Sequence, residues 1–376
     1  MAEAVVDLGA IAHNTAVVAR ATGTPVMAVV KADGFGHGAV PVARAALAAG
    51  ATWLGVASCA EALLLRAAGI TAPVLNWLHG LDDDFAAVIG AGVDLAAAAP
   101  EHLRAIAAGA AAAGTPAQVH LKVDTGMSRG GAAPADWPQL VALARMMERD
   151  GLLRVRGVWS HLARADELRH PSIAAQVARF DEAVGYARAA GLDPPLRHLA
   201  NSAGALGTAR TRYDLVRAGI ALYGVEPLPG RRHGLRPALT LRARAVLTKR
   251  TPADTGVSYQ HTYTTATPTT LVLVPLGYAD GVPRSASNRG FVLIGGRRCP
   301  VAGVVSMDQF VADAGDLPVR LGDEVIVWGP GDTGEPTVAD WARWARTNPH
   351  EILTGIGARV PRRYQGMPGQ EYHRAG

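Results

Sequence analysis

The chain has 376 residues, of which 49% are hydrophobic and 18% charged, a composition typical of a folded globular protein. The net charge is +5, but the arginines are scattered and only 5% of residues are aromatic, which argues against nucleic-acid binding. No apolar run approaches the ~20 residues of a membrane span, and no signal peptide is recognisable, so no membrane partner is expected. The two cysteines, Cys59 and Cys299, form no metal motif, so a cytoplasmic protein without a metal site is expected.

Apolar and helical segments alternate from residue 26 to about residue 224. Eight short apolar runs predict buried strands, which span residues 26–30, 53–57, 74–78, 93–98, 119–123, 155–159, 196–200 and 215–222. Segments rich in alanine and leucine predict helices, which span residues 8–21, 39–49, 60–68, 101–113, 137–149 and 173–190. This alternation predicts an α/β fold with a (β/α)8 TIM-like barrel over residues 1–230. A doubly wound sheet is the alternative, because the pattern does not show closure.

The pattern changes after residues 226–230, read E-P-L-P-G, which predict a linker. The segments beyond it are rich in β-formers and separated by glycine turns. They predict a mainly β domain over residues 231–376, with one late helix at 338–346. The predicted strands span residues 238–247, 270–275, 291–294, 298–305, 310–313 and 324–328. Residues 4–7 predict one more strand, and residues 1–7 could pair with the second domain.

Lys31 ends the first apolar run and precedes the glycine-rich segment 34–38, which predicts a loop between strand and helix. The carboxyl end of a parallel strand is where α/β folds place their chemistry. Lysine occurs only three times among the 37 basic residues, at Lys31, Lys122 and Lys249. A retained lysine therefore indicates a need for a primary amine, which forms Schiff bases as arginine does not. A solvated lysine is the alternative, and Lys249 is interpreted as ordinary surface charge.

Motifs along almost the whole chain resemble those of the alanine racemases, which use pyridoxal 5′-phosphate. The blocks are V-V-K-A-D-G-F-G-H-G (29–38), H-L-K-V-D-T-G-M-S-R (120–129), W-S-H-L (159–162), H-L-A-N-S-A (198–203), R-A-G-I-A-L-Y-G (217–224), V-S-Y (257–259), G-Y-A-D-G (277–281), S-M-D-Q (306–309) and R-V-P-R-R-Y (359–364). Each block alone is modest evidence of the resemblance, but the occurrence of all of them in the order found in the family is specific evidence. The resemblance implies a homodimeric enzyme whose active site is shared between subunits.

The resemblance also implies which residues hold the cofactor. They are Lys31, Phe35, Arg129, His161, Asn201, Ser202, Arg217, Gly219, Ile220 and Tyr364, with Ser202, Gly219, Ile220 and Tyr364 at its phosphate. Arg217 would face the pyridine nitrogen and keep it unprotonated, because a second positive charge nearby is unfavourable. A surface pair of Arg217 with Asp214 is the alternative.

Further roles follow from the same resemblance. Arg129 would contact both the cofactor and the substrate carboxylate. Lys122 would carry a carbamate that steadies Arg129, although a lysine paired with Asp124 is the alternative. His161 would link Arg217 to a catalytic tyrosine, although a lone histidine is more often a satisfied core residue.

Racemisation requires an acid and a base on opposite faces of one planar carbanion. The resemblance assigns Lys31 to one face and Tyr259, from the partner subunit, to the other. Met307 would offer its backbone N–H to the substrate carboxylate, and Tyr278 and Arg284 would line the substrate entrance.

The chain departs from the family pattern at three positions. Phe35 stands where the family usually has tyrosine, whose hydroxyl donates to the cofactor phosphate. Gln260 stands where glycine is usual, and Val304 where arginine is common. These departures bear on cofactor affinity, on the pose of Tyr259 and on substrate range.

The expected function is interconversion of L-alanine and D-alanine, which supplies D-alanine for peptidoglycan or consumes it in catabolism. A racemase of the same fold acting on serine or another amino acid is the first alternative. A decarboxylase on a related barrel fits the two-base pair and Arg217 less well. From a different class, a regulatory module that binds pyridoxal phosphate without catalysis is disfavoured, because single-domain relatives lack the β domain that carries Tyr259 and Met307.

Overall fold

The computed structural model describes residues 1–366. The strands are β1 (Ala2–Asp7), β2 (Val26–Val29), β3 (Ala51–Val56), β4 (Val74–Asn76), β5 (Asp94–Ala97), β6 (Ala117–Lys122), β7 (Leu153–Trp159), β8 (Leu196–His198), β9 (Val216–Ala218), β10 (Leu239–Arg244), β11 (Leu247–Thr251), β12 (Gly256–Val257), β13 (Tyr263–Thr264), β14 (Thr269–Val274), β15 (Phe291–Ile294), β16 (Arg297–Pro300), β17 (Phe310–Asp313), β18 (Glu324–Trp328) and β19 (Arg362–Gln365). The helices are α1 (Leu8–Thr22), α2 (Lys31–Phe35), α3 (Ala39–Ala48), α4 (Cys59–Ala67), α5 (Phe85–Gly90), α6 (Pro100–Ala113), α7 (Trp137–Arg149), α8 (Pro171–Ala189), α9 (Ser202–Gly207), α10 (Val338–Ala345) and α11 (Pro349–Thr354).

Strands β2 to β9 form one parallel sheet in the order β8-β7-β6-β5-β4-β3-β2-β9. The two edge strands of this order are joined by backbone hydrogen bonds. Asp214 N donates to Arg197 O at 3.0 Å, and Arg217 N donates to Ala200 O at 3.1 Å. These bonds close the sheet into a barrel, so the predicted barrel is confirmed and the doubly wound alternative is wrong.

The core lies in two layers, as the alternation of side chains along each barrel strand requires. The outer layer joins the strands to apolar helix faces in one buried cluster, which includes Val26, Leu54 and, from α3, Val42. A smaller cluster, which includes Met27 and Trp159, fills the barrel. Within residues 1–366, every helix is too short or too polar to span a bilayer.

The C-terminal mainly β domain is built on a six-stranded sheet in the order β16-β15-β18-β10-β1-β19. The N-terminal strand β1 lies inside this sheet, where Ala4 pairs with Leu241 of β10 and with Arg362 of β19. Strand β19 has no counterpart among the predicted strands. Several predicted strands are shorter than expected. For example, β16 ends at Pro300, β9 gives way to a 3₁₀ turn at Ile220–Tyr223, and the strand predicted at 238–247 is divided between β10 and β11.

The segment after β2, which is the short element α2, is a left-handed turn rather than the predicted loop or an ordinary right-handed helix. Residues 32–35 have φ between 51° and 60°, a conformation that L-amino acids disfavour. Side chains from elsewhere hold this backbone. Glu61 Oε1 accepts from Ala32 N at 2.6 Å, and Arg362 Nε donates to Gly36 O at 3.1 Å. Gly36 itself has φ 79° and lies so close to α11 that a β-carbon would overlap the Leu353 carbonyl oxygen.

This close approach predicts the effect of replacing Gly36 by alanine. Gly69 is the matched control, because its φ is 77° but no atom lies within 4 Å of the added β-carbon. Gly69→Ala should cost about 1–2 kcal/mol, from the left-handed backbone alone. Gly36→Ala should cost about 1–3 kcal/mol more, because the methyl group is also forced against a carbonyl. Urea unfolding midpoints of the two variants check this difference, and equal losses of stability would contradict it.

Candidate active site

Most of the residues predicted for the site meet at the carboxyl edge of the barrel. Lys31 follows β2, Lys122 ends β6, His161 follows β7 and Ser202 follows β8. Arg217 lies in β9, which closes the barrel beside β2. The parallel arrangement thus gathers side chains that are far apart in the sequence, and an amine, an imidazole and a guanidinium share one edge.

Arg217 is only 4% exposed, and its charge is met by neutral acceptors. Its guanidinium donates to the carbonyls of Ser160 at 2.6 Å, His198 at 2.7 Å and Leu199 at 3.1 Å. It also lies 3.1 Å from His198 Nδ1 and 3.3 Å from His161 Nδ1. Within residues 1–366, no carboxylate forms an ion pair with it.

The alternative pairing of Arg217 with Asp214 is wrong. Asp214 forms a two-pronged ion pair with Arg197, at 2.8 and 3.0 Å. Burial without a carboxylate lowers the pKa of Arg217 to about 9. Arg217 therefore remains a cation near neutral pH, and its field acts on the neighbouring groups.

Two neighbouring groups are biased toward their neutral forms. Burial lowers the pKa of Lys31, and the charge of Arg129 acts in the same direction while Glu61 opposes it. Burial, followed by the charge of Arg217, holds the pKa of His161 well below its ordinary value. His161 is therefore neutral, and because its Nδ1 faces a donor, its proton lies on Nε2.

Lys122 is the second unusual amine. Burial, assisted by the charges of Arg217 and Arg129, lowers the pKa of Lys122 to about 8. Its Nζ lies 4.5 Å from the centroid of the Trp159 ring. The alternative pairing with Asp124 is not formed, because Asp124 Oδ1 instead accepts from the backbone N–H groups of residues 126–128 at 2.8–3.2 Å.

The residues predicted for the phosphate lie near the start of a 3₁₀ turn, which Gly219 precedes. Ser202 Oγ accepts from Gly219 N at 2.9 Å and lies 3.4 Å from Ala221 N. A β-carbon on Gly219 would lie 3.1 Å from Phe35 Cζ, so the far end of that ring is directed at Gly219. The hydroxyl of Tyr364 lies against Gly38, where a β-carbon would overlap it. Asn201 caps α9, since its Oδ1 accepts from Gly204 N at 2.9 Å.

Three further residues around Lys31 and Phe35 were not predicted from the sequence. Glu61 Oε1 binds the backbone next to Lys31, and its Oε2 accepts from Ala57 N at 2.8 Å. Phe35 stacks on Tyr223, with ring centroids 4.5 Å apart, and lies 5.8 Å from the His350 ring. The capping-box spacing of Ser58 and Glu61 is the sequence signal for Glu61.

Unlike Tyr364, the other residues predicted from the second domain are exposed, and the structure shows no contact of the predicted catalytic Tyr259 with Lys31 within residues 1–366. Tyr259 is 68% exposed, Met307 53% and Tyr278 44%. Within residues 1–366 of one chain, no hydrogen bond, ion pair or ring contact joins Tyr259 or Met307 to Lys31. The loop that carries Tyr259 is nevertheless held in place, because Ser258 Oγ donates to Val304 O at 2.7 Å.

Three other predicted positions lie on the surface of the chain. Arg129 and Arg284 are exposed. Gln260 adopts φ 61°, which is the conformation that the glycine usual at this position would favour.

Comparisons with known proteins agree along the chain. Residues 6–227 match the family model described as alanine racemase, N-terminal domain, and residues 238–364 match alanine racemase, C-terminal domain. An alanine racemase of Frankia casuarinae is 55% identical over 96% of this chain and 95% of its own length. The alanine racemase structure from Streptomyces lavendulae superposes with a TM-score of 0.97 at 46% identity, covering 99% of each chain. That from Bartonella henselae, with covalently bound pyridoxal phosphate, gives 0.87 at 30% identity, covering 97% of this chain and 99% of its own.

The lowered pKa of Lys122 predicts a change of stability with pH. An unfolded lysine titrates near pH ~10.4, so between pH ~8 and ~10 the folded state binds fewer protons than the unfolded state. Stability should therefore rise more steeply with pH across this window in the wild type than in Lys122→Met, which keeps only the contributions of other groups such as Arg217. Urea unfolding in buffers purged of carbon dioxide measures this difference. Lys249→Met, which removes an exposed lysine, controls for the loss of a lysine in general. Parallel stability curves for wild type and Lys122→Met would contradict the prediction.

Proposed function

The chain belongs to the alanine racemase family, and on that premise we propose that it interconverts L-alanine and D-alanine with pyridoxal 5′-phosphate as cofactor. The family membership confirms the resemblance that the motifs carry. The observation that supports the activity best is the buried cation Arg217 beside two amines of lowered pKa, Lys31 and Lys122, at one barrel edge. The product D-alanine would serve peptidoglycan synthesis.

The residues at the barrel edge fit pyridoxal 5′-phosphate. When bound, this cofactor supplies an aldehyde for a primary amine and a ring that withdraws electrons from the substrate α-carbon. Lys31 is the amine. Gly219 leaves a space that a β-carbon would fill, and Ser202 and Tyr364 supply hydroxyls for the phosphate. The backbone N–H group of Ile220 would add a further donor, and that of Gly219 would exchange its bond to Ser202 Oγ for one to the phosphate.

Arg217 faces the pyridine nitrogen in this proposal. A guanidinium has only donors, so it binds the nitrogen in its unprotonated form. A carboxylate at this position would instead favour protonation of the ring. Because no carboxylate neutralises Arg217 within residues 1–366, the positive charge is present in full where the ring nitrogen would lie.

Arg129 and Lys122 act on the substrate side. Arg129 is exposed and free to meet a substrate carboxylate, which a guanidinium binds through two parallel hydrogen bonds. Lys122 has a pKa lowered to about 8, so a fraction of its amine is neutral and nucleophilic near neutral pH. We propose that it reacts with carbon dioxide, and that the resulting carbamate steadies Arg129.

The second face of the substrate is served from a partner subunit. Lys31 holds or moves a proton on one face, and Tyr259 of a second copy does so on the other. The exposure of Tyr259 and Met307 supports this proposal, because both side chains are available to another chain. Met307 would offer its backbone N–H to the substrate carboxylate, while Tyr278 and Arg284 line the entrance of a homodimer.

We propose that the domain boundary lies between residues 230 and 231, in the segment between the two family matches. We also propose that the enzyme works in the cytoplasm, in keeping with Cys59 and Cys299, which are both unpaired.

The activity is tested by measuring chiral products from a panel of L-amino acids, with alanine expected to react fastest. Lys31→Arg keeps the charge but removes the primary amine, so it should lose both racemisation and the visible absorbance of the bound cofactor. Lys249→Arg is the control for the same substitution at an exposed position and should remain active. Turnover by Lys31→Arg would contradict the role of Lys31. Faster racemisation of serine than of alanine would contradict alanine as the preferred substrate.

The shared site has a test of its own, in which two inactive variants are combined. Lys31→Ala and Tyr259→Phe homodimers should each lack racemisation. Dissociating and reassociating them as a mixture should restore part of the activity, because one site of each hybrid dimer contains both intact residues. No recovery in hybrids that are shown to form would contradict a site shared between subunits.

Phe35 generates a further prediction about cofactor affinity. A hydroxyl added at Phe35 Cζ would extend toward Gly219, among the donors proposed for the phosphate. A hydrogen bond to a charged group contributes ~1.5–3 kcal/mol, so Phe35→Tyr should tighten cofactor binding roughly ten- to a hundredfold. Titration of the apoenzyme with pyridoxal 5′-phosphate measures this change. Phe291→Tyr, a half-buried phenylalanine in β15, is the control and should leave the affinity unchanged. Equal affinities in wild type and Phe35→Tyr would show that the added hydroxyl does not reach the phosphate.

A further inference from the structure

A line of buried polar side chains crosses the barrel interior from Arg217. Arg217 Nη1 lies 3.1 Å from His198 Nδ1, and His198 Nε2 lies 2.8 Å from His120 Nδ1. His120 Nε2 lies 3.1 Å from Asp94 Oδ2, and Arg156 donates to Asp94 Oδ1 at 3.1 Å. Arg217, His198, His120 and Asp94 are each at most 4% exposed. Bulk water therefore replaces none of their hydrogen bonds.

The chemistry of the two ends fixes where the protons of this line lie. A guanidinium only donates, so the His198 Nδ1 that faces Arg217 is an unprotonated acceptor. Burial holds the pKa of His198 well below its ordinary value, so its single proton lies on Nε2 and is donated to His120 Nδ1. His120 in turn carries its proton on Nε2 and donates to the carboxylate of Asp94, which only accepts. The Asp94 end requires the same order. Its carboxylate needs a proton on His120 Nε2, which leaves His120 Nδ1 as the acceptor for His198.

Surrounding residues are shaped to hold the two imidazoles in this contact. The Trp159 ring lies parallel to His198, with centroids 5.6 Å apart and 8° between the planes. Trp53 meets His120 edge-on, with centroids 5.5 Å apart. Gly157, on the strand between β6 and β8, lies where a β-carbon would overlap His120 Nδ1. Gly157 does not adopt a positive φ, so space rather than backbone conformation requires glycine there.

We propose that His198, His120 and Asp94 are positioning residues that hold Arg217 in place for the cofactor's pyridine nitrogen. The negative charge of Asp94 reaches Arg217 only through two polarised imidazoles. The guanidinium is thereby anchored without a carboxylate beside the ring. This role rests on the proposed function, since that function gives Arg217 its partner. The order of the protons does not depend on it.

The proton order is tested directly by nitrogen NMR of holoenzyme labelled with ¹⁵N-histidine, with His120 and His198 assigned by substitution. Both rings should carry a proton on Nε2 and none on Nδ1. A proton on Nδ1 of either ring would overturn the proposal. This measurement is independent of turnover. A wild type that racemises nothing would therefore contradict the proposed function without touching the proton order.

Two substitutions of His120 test the effect on catalysis. His120→Asn can place its side-chain oxygen near the position of Nδ1, so it preserves an acceptor for His198. His120→Phe keeps a ring but removes that acceptor. His120→Phe should lower kcat in both directions roughly ten- to a hundredfold, with the cofactor still bound, because a buried donor loses its partner. His120→Asn should retain most of the activity. Equal activities of these two variants, whether both high or both low, would overturn the proposal.

Asp94 provides a second pair in case His120→Phe does not fold. Asp94→Asn keeps an acceptor for His120, whereas Asp94→Leu removes it, so only Asp94→Leu should lower kcat strongly. Melting temperatures identify variants that are merely unstable. Asp214→Asn is the matched control, because Asp214 pairs with Arg197 and takes no part in the line to Arg217. It should leave kcat and the His198 signals unchanged, and an equal loss in Asp214→Asn and Asp94→Leu would overturn the proposal.

Discussion

A buried guanidinium without a neutralising carboxylate is the constraint on which the rest of the site depends. Arg217 is held by three backbone carbonyls and two imidazoles, which lie against its Nη1 and Nη2 groups but leave its charge intact. Moving a cation into a protein interior is unfavourable unless its hydrogen bonds are satisfied. Carbonyls at or just after the ends of β7 and β8 accept them here, because the closed barrel brings both strand ends beside β9. Closure of the barrel therefore provides the hydrogen-bond acceptors that stabilise the buried charge of Arg217.

The retained charge explains the behaviour of the groups around it. A nearby cation and a partly dry environment both favour the neutral form of an amine or imidazole. Burial is the largest cause of the lowered pKa in Lys122, His161 and Lys31. The charge of Arg217 adds to it at Lys122 and His161, and the charge of Arg129 adds to it at Lys31. An amine must lose its proton before it can form a covalent bond. The burial and positive charge that lower the pKa of these lysines therefore also favour the nucleophilic form of the amine.

Much of the fold follows from local patterns, whereas the site geometry depends on contacts between distant segments. The eight barrel strands can be predicted from the sequence because each is a short apolar run between turns. Lys31 stands out because nearly all other basic residues of this chain are arginines. The partners of Arg217 could not be predicted from the sequence in this way. Asp214 lies only three residues away, but it forms its ion pair with Arg197. The left-handed backbone at residues 32–35 also has little local signal. It depends on Glu61 and Arg362, and strand β19 pairs with β1 from the other end of the chain.

The distribution of acidic groups shows why the site is suited to anions. Glu61 accepts from the backbone N–H groups of Ala32, Ala57 and Ser58, and Asp124 accepts from those of residues 126–128. The carboxylates nearest to the lysines are thus occupied by the backbone turns that shape the loops. They contribute to local structure, and within residues 1–366 neither Glu61 nor Asp124 forms an ion pair with a cation of the site. In the proposed function, a dianionic phosphate and a substrate carboxylate would supply the compensating negative charge, and binding them would relieve the repulsion among these cations. The same turns that position the cations therefore also keep them available for the ligand.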